Sequence, residues 1–176
     1  MAKIVIYLNL ESGGEILKIS DLIGEATEYD KKETLEERRP KSWLKSVSAF
    51  ANGIGGALIF GVTDNEELIG LSDSKDVSEK ISEIIKTKMD PIPQVIMEIH
   101  KEDGKQFVIL RIPSGIETPY YYIGEGNRTA FVRVGNQSIP AGTIDLKRLV
   151  LHGSNTTYDS LTTQYKYEKF AFTKLR

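Results

Sequence analysis

At 176 residues, 40% hydrophobic and 27% charged, the chain has the size and balance of one globular domain with a real core. It has no cysteine, which excludes a disulfide framework and thiolate metal sites, and no apolar run near the roughly 20 residues that span a bilayer. The net charge of −2 argues against a strongly basic nucleic-acid binder, yet residues 1–100 carry 12 basic and 18 acidic side chains against 11 and 7 in residues 101–176.

An acidic half beside a basic half suits a site that holds a metal, or that repels phosphate until a cation intervenes. It reads equally well as two solvated surfaces. The N-terminus, where Ile4–Tyr7 open a stretch that is apolar only briefly before Asn9 and Glu11, lacks the core and cleavage site of a signal peptide, so a cytoplasmic chain that touches no membrane is expected.

In chain order, residues 3–9 are β-branched and aromatic and predict a strand. Residues 11–24 carry a Gly13-Gly14 turn and mixed apolar positions that specify no element, and residues 25–39 are dense in charge. Pro40 opens a helix in which Trp43, Val47 and Phe50 recur on one face, and Asn52-Gly53 is expected to end it in a left-handed residue. Ala57–Val62 reads as a buried strand, with Leu68–Leu71 returning antiparallel to it. Asp76 with Glu79 predicts a capping box for a helix striped by Val77, Ile81, Ile84, Ile85 and Met89, which Pro91 and Pro93 end. Residues 94–100 and 106–112 form a hairpin about Asp103-Gly104, and residues 120–123 and 130–134 give two further strands. Thr143 caps a last helix bearing Leu146, Leu149 and Val150, which Gly153 is expected to close. This order predicts an α+β fold: a mostly antiparallel central sheet with about three helices packed against it. Residues 1–152 are taken as the domain. Residues 153–176, rich in Ser and Thr and then apolar again, are taken as a linker and the start of a following region in a truncated chain.

The strongest chemical constellation is Glu25, Asp30 and Lys32, completed by Asp64 after the buried strand. Carboxylates from two segments can bind Mg²⁺ or Mn²⁺ through oxygen, and such a cation can contact phosphate. Lys32, two residues along a strand from Asp30, would share its face. In so charged a segment the same residues serve as salt bridges on a solvated surface. Gly53, Gly55 and Gly56 follow a helix and precede a strand, the reverse of a phosphate loop, so they do not predict ATP binding. Phe131 and Arg133 share a strand face near Asn136, which would stack a base and hold a phosphate, or else put Phe131 in the core and Arg133 beside an acidic neighbour. His100 and His152 are isolated and show no ligand spacing.

The run Trp43-Leu-Lys-Ser-Val-Ser-Ala-Phe-Ala-Asn-Gly-Ile-Gly-Gly-Ala-Leu-Ile-Phe-Gly-Val-Thr-Asp64 resembles the signature of Schlafen AlbA-like (divergent AAA) domains, as do Asp90–Pro93, Thr118–Tyr122 and Phe131–Asn136. The resemblance spans roughly residues 20–152. It implies DNA or RNA binding within a bacterial multidomain transcriptional regulator or a helicase-related or ATP-binding protein. Phosphate contacts would then fall to Lys32, Arg111, Arg128, Arg133, Lys147 and Arg148, with Asn136 beside them. The resemblance to Schlafen ribonucleases assigns Glu25, Asp30 and Asp64 as metal ligands, and these with Lys32 as catalytic residues. Asp30 stands where those enzymes carry a glutamate. Binding rather than catalysis is expected of this domain by itself. The alternatives are a metal-dependent endoribonuclease and an ATP-binding, oligomerisation or sensing module, and a homodimer would enlarge the small surface of one copy.

Overall fold

The computed structural model describes residue 19 and residues 28–159, with side chains to residue 154. The strand expected at 3–9, Glu25, and the apolar segment at 165–172 lie outside these residues. The described residues form β1 (Tyr29–Lys32), α1 (Lys41–Ala51), β2 (Gly55–Phe60), α2 (Ser74–Lys88), β3 (Met89–Asp90), β4 (Ile96–Glu102), β5 (Lys105–Pro113), β6 (Tyr121–Gly124), β7 (Asn127–Val134), β8 (Gln137–Pro140) and α3 (Thr143–Asp159). The fold is α+β with mostly antiparallel pairing, as its sequence predicts. The described strands divide into two sheets of four, ordered β1-β2-β5-β4 and β3-β6-β7-β8. Among them only β1 and β2 pair in parallel, with Asp30 beside Leu58 and Lys32 beside Phe60.

Helix α1 packs against both sheets, touching β2 and β5 of the first and β6, β7 and β8 of the second. Burial from both sides explains its composition. From Trp43 to Ala51 every residue except Lys45 is buried, Ser46 and Ser48 included. Leu58 and Phe60 of β2, Val108, Leu110 and Ile112 of β5, and Phe131 of β7 close on this helix in the main core. Alternation sends Ile59, Phe107 and Ile109 to the opposite face of the first sheet, where they form a smaller cluster with Val62 and Ile19.

Local signals place most elements and misplace some ends. Helix α2 is capped by Asp73, whose carboxylate accepts the Asp76 amide at 2.9 Å, rather than by Asp76 itself. The stripe that follows is as expected, with Ile81 and Ile85 buried. Asn52 and Gly53 do not supply the left-handed residue after α1. Asn52 is helical at φ −80, and the first positive φ belongs to Gly55 at 92. The next residue shows why glycine recurs here: a Cβ on Gly56 would stand 2.3 Å from the Phe50 ring and 2.6 Å from the Glu28 carbonyl. Leu68–Leu71 forms no strand, because only one bridge, Val62 to Leu68, is made. Helix α3 runs on through Gly153 to Asp159, and Gly153 serves close packing against Thr118 instead of closure. The hairpins β4–β5 and β6–β7 turn on Asp103-Gly104 and Glu125-Gly126, all four at positive φ, as a right-twisted two-residue hairpin requires.

Candidate functional site

The two sheets meet around α1, and the polar groups that join them are where chemistry-bearing side chains converge. Asp30 and Lys32 lie on the face of β1 that looks toward α1. The Asp30 carboxylate accepts the Ser46 hydroxyl at 2.6 Å and the Lys31 amide at 2.9 Å, and Lys32 Nζ stands 3.5 Å from it. Ser46 in turn accepts the Ser138 hydroxyl at 3.2 Å, and Ser138 accepts Arg133 NH1 at 3.1 Å. A continuous line of donors and acceptors therefore runs from the Arg133 cation through two hydroxyls to the Asp30 anion. Each link polarises the next in a site of low dielectric. Arg133 also donates to the Tyr29 carbonyl at 3.0 Å, and its guanidinium lies 5.0 Å from the centre of the Phe50 ring. Burial pushes the Arg133 guanidinium below its ordinary value, and the nearby Asp30 charge opposes that shift.

A second polar junction sits one turn further along α1. Ser48 donates to the Tyr120 carbonyl at 2.7 Å and accepts the Phe131 amide at 3.0 Å. Asn52 donates to the Tyr120 and Phe131 carbonyls at 2.9 and 3.1 Å and accepts the Tyr120 amide at 2.7 Å. Beyond the last β6–β7 pair, Tyr121 to Ala130, the helix's side chains thus take the backbone groups that a longer ladder would have used. Sequence reasoning missed Ser46, Ser48, Ser138 and Asn52 as a set. The available signal was the presence of serines at fully apolar positions of α1, since buried hydroxyls need partners.

The residues predicted from the sequence are only partly brought together. Asp30, Lys32 and Arg133 converge. Asp64 lies exposed beyond β2, at the end of the sheet where the Lys32 carbonyl accepts the Gly61 and Val62 amides. Glu25 lies outside the described residues. Both Asp30 oxygens are already engaged, and among the described residues no three acidic or histidine side chains group as metal ligands. Asp30 and Asp64 do not by themselves make up such a group. Arg111 pairs with Glu98 at 3.3 Å, and Arg128 pairs with Asp90 at 2.7 Å while stacking over Tyr121 at 4.1 Å. Lys147 and Arg148 are exposed on α3, and Asn136 is exposed on the β7–β8 turn. The Phe131 ring is in the core.

Between the end of α1 and β7 opens a cleft of about 370 Å³, bordered by Glu28, Phe50, Ile54, Val132, Arg133 and Gly135 among others. Among the described residues no helix is long and apolar enough to cross a membrane.

A sequence profile for Schlafen, AlbA_2 matches residues 25–142. The chain belongs to that family. The match begins at Glu25 and covers β1 through β8, so both junctions and the cleft lie within the family's segment. Among solved structures the Schlafen, AlbA_2 chain is similar to the DIP2311 protein from Corynebacterium diphtheriae, at 20% identity and TM-score 0.48 over 65% of this chain and 22% of that one. It is also similar to the N-terminal domain of a RecG-related protein from Nitrosomonas europaea, at 20% identity and TM-score 0.49 over 69% of this chain and 88% of that domain. No curated protein sequence matches the chain.

Proposed function

We propose that this Schlafen, AlbA_2 chain is a DNA- or RNA-binding domain acting within a bacterial, cytoplasmic, multidomain transcriptional regulator. The observation that carries the reading is the family match across residues 25–142, because resemblance to these domains implies nucleic-acid binding. The structure bears on which cations would serve. Lys147 and Arg148 are exposed and have no acidic partner among the described residues, so they can meet phosphate at little cost. Arg111 and Arg128 must first leave Glu98 and Asp90, although surface pairs are weak enough for phosphate to compete. Arg133 and Lys32 are committed to the junction beside Asp30 and act chiefly as its supports.

The experiment is a gel-shift and cleavage assay on structured RNA and duplex DNA, with and without Mn²⁺, repeated across salt concentrations. Binding that weakens steeply as salt rises is the expected result. Absent or salt-independent binding refutes the reading. Cleavage that needs Mn²⁺ and vanishes in a folded Asp64→Ala variant would replace binding alone with nuclease activity.

A further inference from the structure

We propose that the free edge of β4 pairs antiparallel with the β4 edge of a second copy of the chain, across a two-fold axis at Ile99, so that the two first sheets join into one. The partner follows from the strand's complementarity to itself and does not depend on the nucleic-acid reading above.

Strand β4 stands at the end of the order β1-β2-β5-β4, and among the described residues only β5 pairs with it. Its 7 residues run against β5 in unbroken register from Ile96–Arg111 to Glu102–Lys105, with none of the bulges or prolines that commonly blunt an edge. The hairpin turn fixes which backbone groups point outward. In a two-residue turn through Asp103-Gly104 the flanking pair, Glu102 and Lys105, is the hydrogen-bonded one. Alternation then turns the amides and carbonyls of Ile96, Glu98, His100 and Glu102 toward β5, and those of Met97, Ile99 and Lys101 away from it. The neighbouring strand has the matching phase: the carbonyl of Gln106, the residue opposite Lys101, accepts the Leu71 amide at 2.7 Å instead of turning to β4. Beside this row of outward groups Ile96 and Ile99 are 50% and 48% exposed.

The sequence of the strand selects one register. With the axis at Ile99 the whole strand from Ile96 to Glu102 pairs with itself, and each outward residue donates to and accepts from its opposite. On one face Ile99 packs on its own copy and Met97 lies along the stem of the partner's Lys101. On the other, Glu98 faces the partner's His100 and Ile96 faces the partner's Glu102. No like charges stand opposite each other. An axis at Glu98 would set that carboxylate against itself, one at His100 would set Glu98 against Glu102, and one at Lys101 would oppose two ammonium groups. An axis at Met97 brings Lys101 opposite Pro93, which has no amide to give.

The test is sedimentation equilibrium of the whole chain from micromolar to submillimolar concentration, with amide exchange followed residue by residue at both ends of the range. The mass is expected to rise from one chain to two. The amides of Met97, Ile99 and Lys101 should slow at least about tenfold relative to those of Glu98 and His100, which are bonded to β5 in either state. Ile99→Lys puts like charges on the axis at a half-exposed edge position and should weaken the dimer roughly fivefold or more while keeping the parent's circular dichroism. Ile139→Lys, on the edge strand β8 of the other sheet, should leave the dimer unchanged. A monomer throughout the range, a dimer that Ile99→Lys leaves intact, or one that Ile139→Lys breaks instead, overturns the proposal. A monomer in which the same alternate amides are already protected overturns it too, and gives the edge to a segment of the same chain. Should Ile99→Lys not fold, the exchange pattern of the parent decides: slowing that is uniform along β4 refutes the pairing.

Discussion

Asn52→Ala tests whether the asparagine of the Ala-Phe-Ala-Asn motif is structural. Its amide satisfies the Tyr120 amide and the Tyr120 and Phe131 carbonyls at 2.7, 2.9 and 3.1 Å. Truncation leaves the Tyr120 carbonyl with Ser48, but the Tyr120 amide and the Phe131 carbonyl lose this partner. A buried backbone group without a partner costs about 1–3 kcal/mol. Two such groups set an upper bound near 6 kcal/mol, and because Asn52 is half-buried, water can reach part of the gap, so about 2–4 kcal/mol is expected. For a chain of this length that lowers Tm by roughly 5–15 °C. Urea unfolding followed by circular dichroism should show a lower midpoint with an unchanged slope. Asn136→Ala, on an exposed turn, is the control and should stay within about 0.5 kcal/mol of the parent. An Asn52→Ala midpoint equal to that control would refute the structural assignment and leave the motif's asparagine to be explained by ligand contact.

Gly56→Ala places a Cβ 2.3 Å from the Phe50 ring and 2.6 Å from the Glu28 carbonyl, so β2 must move away from α1. A loss of about 2 kcal/mol or more is expected in the same unfolding assay. Burial raises the Tyr29 and Tyr122 phenols above their ordinary value of 10.0. Both stay neutral in the folded chain while the unfolded chain ionises, so their stabilisation is complete below about pH 10 and is lost as pH climbs through the folded values. Stability measured from pH 9 to 11.5 should fall, and Tyr122→Phe should flatten the slope; a slope unchanged by that substitution would exclude Tyr122 as a contributor. Replacing Lys147 and Arg148 together by alanine should weaken binding across all sequences and reduce the salt slope by about 2, one for each lost phosphate contact. An unchanged slope would place the phosphate path elsewhere.

The parts legible in the sequence are those with a local cause. The 3.6-residue apolar spacing of Trp43, Val47 and Phe50 marks α1, the continuous run Ala57–Val62 marks β2, and Asp103-Gly104 marks the β4–β5 turn, because period and turn chemistry are properties of a few neighbouring residues. Strand β8 was not legible, and β1 was legible only through the spacing of Asp30 and Lys32 along one face. Tyr-Asp-Lys-Lys and Gln-Ser-Ile-Pro carry no apolar alternation, and they are strands because β2 and β7 pair with them.

The same division runs through the site. Asp30, Lys32 and Arg133 stood out as charged residues in strand context, but residue type alone left open whether they faced a ligand or one another. The tertiary structure decided that Arg133 meets Asp30 through Ser138 and Ser46, since a half-buried guanidinium and carboxylate lower their free energy by sharing the hydroxyls that β8 and α1 place between them. The local elements and the family motif belong to the sequence by itself. The split into two sheets, the polar clamp that α1 draws between them and the cleft at its end exist only once residues about a hundred apart, such as Tyr29 and Arg133, have been brought together.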